Sequence, residues 1–191
     1  MKGRKSGKTG GNKLHEQMQE LHFSLRRKIG KRWARCLPFN EELFDRWERA
    51  KYLGFGRGSS IYDSAIVLGP VKVGENTWVG PFVVLDGSGG LSIGSYCSIS
   101  AGVQIYSHDS VDWAISGGKA EHSRKPVKIG NRCYIGPNSV ISRGVSIGDG
   151  CIIGANSFVN RNIPPNKRAW GNPCRIRGKA CLKGIPPSKG L

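Results

Sequence analysis

Of the four histidines in the chain, His108 stands in the company best suited to chemistry, in the run Tyr106-Ser107-His108-Asp109. A neutral imidazole is the side chain best matched to taking a proton near neutral pH. Within hydrogen-bond reach of a hydroxyl or amine, it can do so while the oxygen or nitrogen attacks a carbonyl carbon. Asp109 could orient the ring, although adjacent residues often point apart and a backbone carbonyl would serve as well. Tyr106 and Asp86 are the polar groups placed to face the same cleft and hold an acceptor. Asp86 opens the run Asp86-Gly-Ser-Gly-Gly90, so it reads equally as a turn residue bonded to its own backbone. His122 reads as loop surface, and His15 and His22 belong to a helical segment.

Such residues need a stiff support, and the sequence supplies one through a period of six. An aliphatic residue recurs at Ile61, Val67, Val73, Val79 and Leu85, slips by two through Gly87 to Gly90, and resumes at Ile93, Ile99 and Ile105. It returns at Ile129 and continues through Ile135, Ile141, Ile147, Ile153 and Val159. Four places after the aliphatic comes a small or β-branched residue, as at Ala65, Thr77, Val83, Cys97, Cys133, Ser139, Cys151 and Ser157. Gly follows the aliphatic at Gly74, Gly80, Gly94, Gly130, Gly136, Gly148 and Gly154. A half-buried strand repeats every two residues and a helix every 3.6. A hexad means a short strand, a corner, and a new strand on the next face of a prism. The aliphatics then stack from coil to coil, the small residue fits the corner, and Gly supplies backbone freedom there. At three hexads per coil the pattern predicts an all-β solenoid of roughly four to five coils.

The 191 residues suffice for one domain with extensions and leave no room for a second catalytic domain. Thirty Lys and Arg against thirteen Asp and Glu give a net charge of +17. That charge implies anionic partners: phosphorylated small molecules, nucleic acid or an acidic membrane surface. Much of it lies outside the coil, in residues 1–13 and 167–189, so no nucleic acid is expected. No apolar run is long enough to span a membrane and the N-terminus lacks the apolar core of a signal peptide. The expected location is cytoplasmic, with peripheral contact at the inner face of an anionic membrane left open by the basic tails. Cys97, Cys133 and Cys151 occupy the small interior position, where a thiol acts as a small apolar group. Cys36, Cys174 and Cys181 form no metal-ligand spacing, so no metal is expected.

Taken in order, residues 1–13 read as a disordered basic tail. Residues 14–54 read as an N-terminal helical cap on the exposed first coil. Within it Leu14, Met18, Leu21 and Leu25 recur at helical spacing with Gly30 placed to end the helix, and Asn40 could cap a second helix with Phe39 stapled against Phe44. Residues 55–163 are the β-helix. Ile105 and Ile129 stand four hexads apart rather than one. The intervening chain is either a full extra coil or an excursion, and the Trp113, Gly117, Gly118, Lys119, His122 and Pro126 content favours an insertion loop over about 107–126. After Val159 the prolines of Ile163-Pro-Pro165 and Gly171-Asn-Pro173 turn the chain away from the prism, which leaves 164–191 as a C-terminal extension.

Ile147-Gly-Asp-Gly-Cys-Ile-Ile-Gly-Ala155, followed by Ile163-Pro-Pro165 and Gly171-Asn-Pro173, resembles the closing segment of the hexapeptide-repeat acyltransferases that act on sugars and related acceptors. The resemblance covers roughly residues 60 to 177 and includes an insertion loop where that family has one. It implies a left-handed parallel β-helix, against the usual right-handed crossover rule, assembled as a homotrimer with acetyl-coenzyme A between neighbouring coils. It also implies that His108 is the catalytic base and that backbone at Ser142, Gly154 and Ala155 meets the pantetheine arm. By motif, the family's basic residue after the last hexad falls on Arg161, and those after Gly-Asn-Pro fall on Arg175 and Arg177. Lys167 and Arg168 lie close by in sequence. These cations suit a mobile phosphate tail. Asn162 stands where the family often has Asp. The acceptor implied is a sugar hydroxyl or amine on a free sugar, a nucleotide-sugar or a surface-polysaccharide or glycolipid precursor.

Two other functions compete. A zinc carbonic anhydrase on the same solenoid needs three His ligands, and the coil region offers only His108 and His122. A non-enzymatic binder would instead use the basic tails on nucleic acid or anionic membrane.

Overall fold

The computed structural model describes residues 11–180, so most of the basic tail expected over 1–13, and the extension from Cys181 onward, lie outside the described residues. The chain divides between Asp45 and Arg46 into two compact units. In the first, α1 (Gly11–Trp33) and α2 (Phe39–Leu43) come together around Glu42. That buried carboxylate lies 3.2 Å from His22 Nδ1 and 3.5 Å from Arg26 Nε. α1 runs through Gly30 to Trp33, and Ala34, at φ 50°, turns its amide back onto the Gly30 carbonyl. Pro38, rather than Asn40, occupies the cap position of α2, with no side-chain cap.

The second unit opens with α3 (Arg46–Tyr52). The stretch 14–54 is therefore two pieces, because α3 belongs with the coils. It buries Ala50 beside Phe55, while Arg49 donates to the carbonyls of Tyr62 and Ala65. The coils follow as β1 (Ser60–Ile61), β2 (Ile66–Leu68), β3 (Val71–Val73), β4 (Trp78–Val79), β5 (Val84–Asp86), β6 (Leu91–Ile93), β7 (Ser98–Ile99) and β8 (Gln104–Ile105). A detour carries β9 (His108–Asp109), α4 (Val111–Ile115) and β10 (Ser123–Arg124). The coils then resume as β11 (Val127–Ile129), β12 (Tyr134–Ile135), β13 (Val140–Ile141), β14 (Ser146–Ile147), β15 (Ile152–Ile153), β16 (Phe158–Val159) and β17 (Lys167–Trp170), and β18 (Arg175–Lys179) folds back.

Each strand pairs in parallel with its counterpart one coil away. Three sheets result: β1-β4-β7-β12-β15-β17-β18, β2-β5-β8-β13-β16 and β3-β6-β11-β14, with only β17–β18 antiparallel among them. The leading aliphatics form the interior. Val73 pairs with Ile93, Ile93 with Ile129 and Ile129 with Ile147, so the detour returns in register and adds no extra coil. Ile61, Leu85, Ile99, Ile105, Ile135, Ile141 and Ile153 are fully buried, at about 1.5–3 kcal/mol of transfer free energy each.

The glycine that follows the aliphatic serves a different purpose from the one its type suggests. A Cβ on Gly136 would lie 2.5 Å from the Ala155 nitrogen of the next coil. What the position requires is close backbone approach, since its φ is unremarkable. Positive φ falls instead on Asn76, Tyr96, Arg132 and Asn138. The small interior residues also do more than fill space. Ser59 and Thr77 donate to the Gly74 and Gly94 carbonyls at 2.7 and 2.8 Å. The thiols of Cys97, Cys133 and Cys151 repeat that contact onto Gly130, Gly148 and Pro164 at 3.1, 3.2 and 3.1 Å. The thiols thus act as weak donors in a continuous column.

The prolines after Val159 do not end the solenoid. Ile163 bridges to Ile147, and β17 pairs with β15 with Ala169 buried at an interior position. Five coils are complete and a sixth is begun, against the four to five expected.

Candidate active site

The repeat breaks twice, at the same hexad position on successive coils. β5 runs into Asp86 and the Gly87–Gly90 bulge; β8, stacked on it through Leu85 and Ile105, runs into Tyr106 and the detour. Their superposition brings the two breaks together. Lys125 N donates to Ser107 O at 2.9 Å and closes the base of the detour, and β9 pairs antiparallel with β10 so that Arg124 lies opposite His108.

Asp86 is 0% exposed. Its Oδ2 lies 2.6 Å from His108 Nδ1 and also accepts the Ser107 amide at 2.9 Å and the His108 amide at 3.2 Å. Its Oδ1 accepts the amide and hydroxyl of Ser88 at 2.9 and 2.6 Å. Burial by itself pushes this carboxyl up. The bonds from Ser88, His108 and Ser107 outweigh it and hold Asp86 well below the usual carboxylate range. An ionised carboxylate only accepts, so the shared proton belongs to His108 Nδ1, and in the neutral ring Nε2 is then the nitrogen that carries the lone pair. The His108 side chain is 31% exposed, and a substrate can reach it.

The residues expected on the acceptor side take three different parts. Asp86, expected to face the acceptor, is buried and bonded to the imidazole. Asp109, the adjacent candidate for orienting the ring, forms an ion pair with Arg143 of the next coil. The Arg143 hydrogen bond holds its carboxyl below the ordinary value. Tyr106 donates its hydroxyl to Gln104 Oε1 at 2.7 Å. Sequence reasoning passed over Ser88, Ser107 and Arg143. Their signal was present, since both breaks follow a residue of the same column, Leu85 and Ile105, one coil apart.

Further along the coil, the amides of Ser142 and Gly154 donate to the carbonyls of Val159 and Ala169. Ala155 is exposed and, among the described residues, its amide has no backbone acceptor. Arg161 is exposed just after β16, and Lys167, Arg168 and Arg175 ride on the β17–β18 hairpin. Among the described residues no group of three or more His, Cys, Asp and Glu could hold a metal ion.

Comparison with known proteins adds to this geometry. A model of the bacterial transferase hexapeptide (six repeats) matches residues 126–161, and one of the hexapeptide repeat of succinyl-transferase matches 70–107. Nodulation protein L of Rhizobium meliloti is 36% identical over 108 residues, which cover 56% of this chain and 59% of that protein. Galactoside O-acetyltransferase of Escherichia coli is 34% identical over 124 residues, covering 54% of this chain and 61% of that protein. The chain thus spans about three fifths of the length of these curated relatives. Among solved structures, a maltose O-acetyltransferase from Clostridium difficile superposes with a TM-score of 0.59 at 29% identity, over 89% of this chain and 90% of that one. A mutant of AntD, an N-acyltransferase from Bacillus cereus in complex with dTDP and coenzyme A, gives 0.62 at 23% identity over 68% and 74%, a likeness of fold. The solenoid is the left-handed parallel β-helix of these neighbours. The repeat, the coil and the relatives agree: over residues 70–107 and 126–161 the chain carries the hexapeptide repeat, and it is similar there to hexapeptide-repeat acetyltransferases with a left-handed β-helix.

Proposed function

We propose that the protein transfers an acetyl group from acetyl-coenzyme A to a hydroxyl or amine of a sugar or sugar derivative, with His108 as general base. The observation that carries the proposal is the 2.6 Å bond between His108 Nδ1 and buried Asp86. A surface histidine needs no such support. Here a carboxylate removed from water fixes the tautomer and stabilises the imidazolium that forms when Nε2 takes a proton. The names of the galactoside and maltose O-acetyltransferases support the sugar acceptor.

Acetyl-coenzyme A would supply the acyl group as a thioester. His108 Nε2 takes the acceptor proton as the oxygen or nitrogen attacks; when the carbon–sulfur bond breaks, the same nitrogen returns the proton to the sulfur. Asp86 stays ionised throughout and acts as a positioning residue. The unpartnered Ala155 amide and the cations Arg161, Lys167, Arg168 and Arg175 suit a polar arm ending in phosphates. A homotrimer belongs to the same proposal. Ile66 and Leu68, on the outer face of β2, are 52% and 44% exposed, an apolar surface that a second copy would cover. We place the reaction in the cytoplasm. No helix among the described residues is long and apolar enough to cross a membrane.

Thiol release from acetyl-coenzyme A, followed against a panel of free sugars, nucleotide-sugars and glycolipid fragments, tests the proposal. Acceptor-dependent release supports it. A folded protein that releases no thiol with any of them, yet sediments with anionic vesicles or nucleic acid in a salt-sensitive way, would be a binding protein instead.

A further inference from the structure

Beside the base, the detour forms an open cleft of about 460 Å³ lined by Trp113, Gly118, Lys119, Ala120, Glu121, His122 and Arg124. That volume lies in the range of small-molecule sites. The cleft has a built wall. Trp113 meets the His122 ring edge-to-face at 5.6 Å, and His122 stacks on His108 at 6.4 Å and 22°. Three rings thus run from the cleft to the proton acceptor. Ser116 Oγ accepts the amides of Lys119 and Ala120 at 3.1 and 2.8 Å, and the Gly118 amide donates to Trp113 O at 2.8 Å. The turn that carries Lys119 is therefore tied down by its own bonds.

The charges in this cleft are not neutralised. Among the described residues neither Lys119 nor Arg124 has an ion-pair partner. Arg124 pairs directly opposite His108 across β9–β10, which puts the two side chains on one face of the ribbon within about 5.5 Å at Cβ. Against two cations stands one carboxylate, Glu121. Trp113 is 47% exposed, enough to offer a ring to the apolar face of a pyranose.

We infer that this cleft binds an anionic pyranoside, with Trp113 against the sugar ring and Lys119 and Arg124 on its carboxylate or phosphate oxygens. Bonds from these cations to anionic oxygens are the strong, charge-assisted kind. The inference deepens the transfer reading, because it names the acceptor's charge class, and it rests on that reading only for calling the cleft an acceptor site. An acidic sugar so held has its hydroxyls beside the His122–His108 stack.

The test reads binding with no acyl donor present. Tryptophan fluorescence of the full chain is titrated with glucuronate, glucose 6-phosphate and methyl glucoside, and Trp113→Phe assigns the signal among the five tryptophans. At least one anion should bind about tenfold tighter than the neutral glycoside, and Lys119→Gln with Arg124→Gln should erase that ratio. The two anions tell carboxylate from phosphate recognition. Glu121→Gln should tighten anion binding, which gives a second reading should the double variant fold poorly. Equal affinities for the three ligands, or an anion preference that survives in the double variant, would overturn the inference. Absence of thiol release in the transfer assay would count against transfer and leave this binding result standing. Thiol release with no preference for anions would do the reverse.

Discussion

Two corners of the same prism are built by the same stacking and put to different ends. At one, Ser59, Thr77, Cys97, Cys133 and Cys151 succeed each other on consecutive coils, and each hands a hydrogen to a carbonyl of the coil beyond. At the other, the residues that follow Leu85, Ile105 and Ile141 differ on each coil: Asp86 and its bulge, Tyr106 and the detour, then Ser142 and Arg143. Repetition at the first corner makes the rod stiff. Only where it lapses can a carboxylate, an imidazole and an ion pair from successive coils meet, because a charged residue repeated in a column would face its own kind.

The largest expected break of that contrast is His108→Ala. It should lower kcat by about 10²-fold to 10⁴-fold while far-UV circular dichroism and melting temperature hold, because His108 lies on the detour and not in the interior column. Near-normal turnover would take His108 out of the mechanism. Asp86→Asn comes next, with a fall in kcat of about 10²-fold or more, since an amide that donates to Nδ1 drives the proton to the nitrogen that must accept one. The same variant reports on pH. The folded carboxyl is held below its ordinary value of about 4, so its contribution to stability is complete above that pH and fades as pH falls through the folded value. The melting-temperature gap between wild type and Asp86→Asn should narrow between about pH 5 and pH 3, where only the carboxylate's contribution changes. A gap that widens on acidification would contradict this.

Glycine substitutions sharpen the comparison from the other side. A methyl on Gly136 meets the next coil's backbone at 2.5 Å, and Gly136→Ala should cost about 2–4 kcal/mol in chemical denaturation. Gly117, on the detour, has nothing within 4 Å but a φ of +64°. Its replacement by Ala should cost about 1 kcal/mol, the left-handed penalty alone. Similar costs at the two sites would mean that coil and detour are equally tightly packed. The smallest effect belongs to Cys133→Ser, within about 1 kcal/mol, because a hydroxyl already fills the same place at Ser59 and Thr77.

Much of this architecture is readable in the sequence because the interior of a solenoid obeys one rule at each step. Ile93, Ile129 and Ile147 sit in one column although the detour separates two of them. The rule failed where two residues are missing rather than added: the contracted Ile163-Pro-Pro165 passage hid the continuation into β17, since prolines cannot donate to a ladder. It also misread the glycines, because residue type does not reveal whether Gly is chosen for its φ or for its missing Cβ. At the site, the histidine could be picked out by its place at the break. Its carboxylate partner could not, since Asp86 and His108 are neighbours only through coil-on-coil stacking, and a turn aspartate and a buried hydrogen-bonded one look identical in sequence.

The closure of the detour by the Lys125 N to Ser107 O bond and the β9–β10 pairing next to it makes the excursion a cassette. Its two ends leave and re-enter one coil at adjoining points, with the imidazole of His108 on the first rung past the seam and its carboxylate, Asp86, on the neighbouring coil. A loop of other length or composition could be spliced between Asp109 and Ser123, beyond the β9–β10 ribbon, without disturbing either His108 or the rungs above and below. A scaffold so divided can change the surface that meets a ligand and keep the His108–Asp86 pair beneath it.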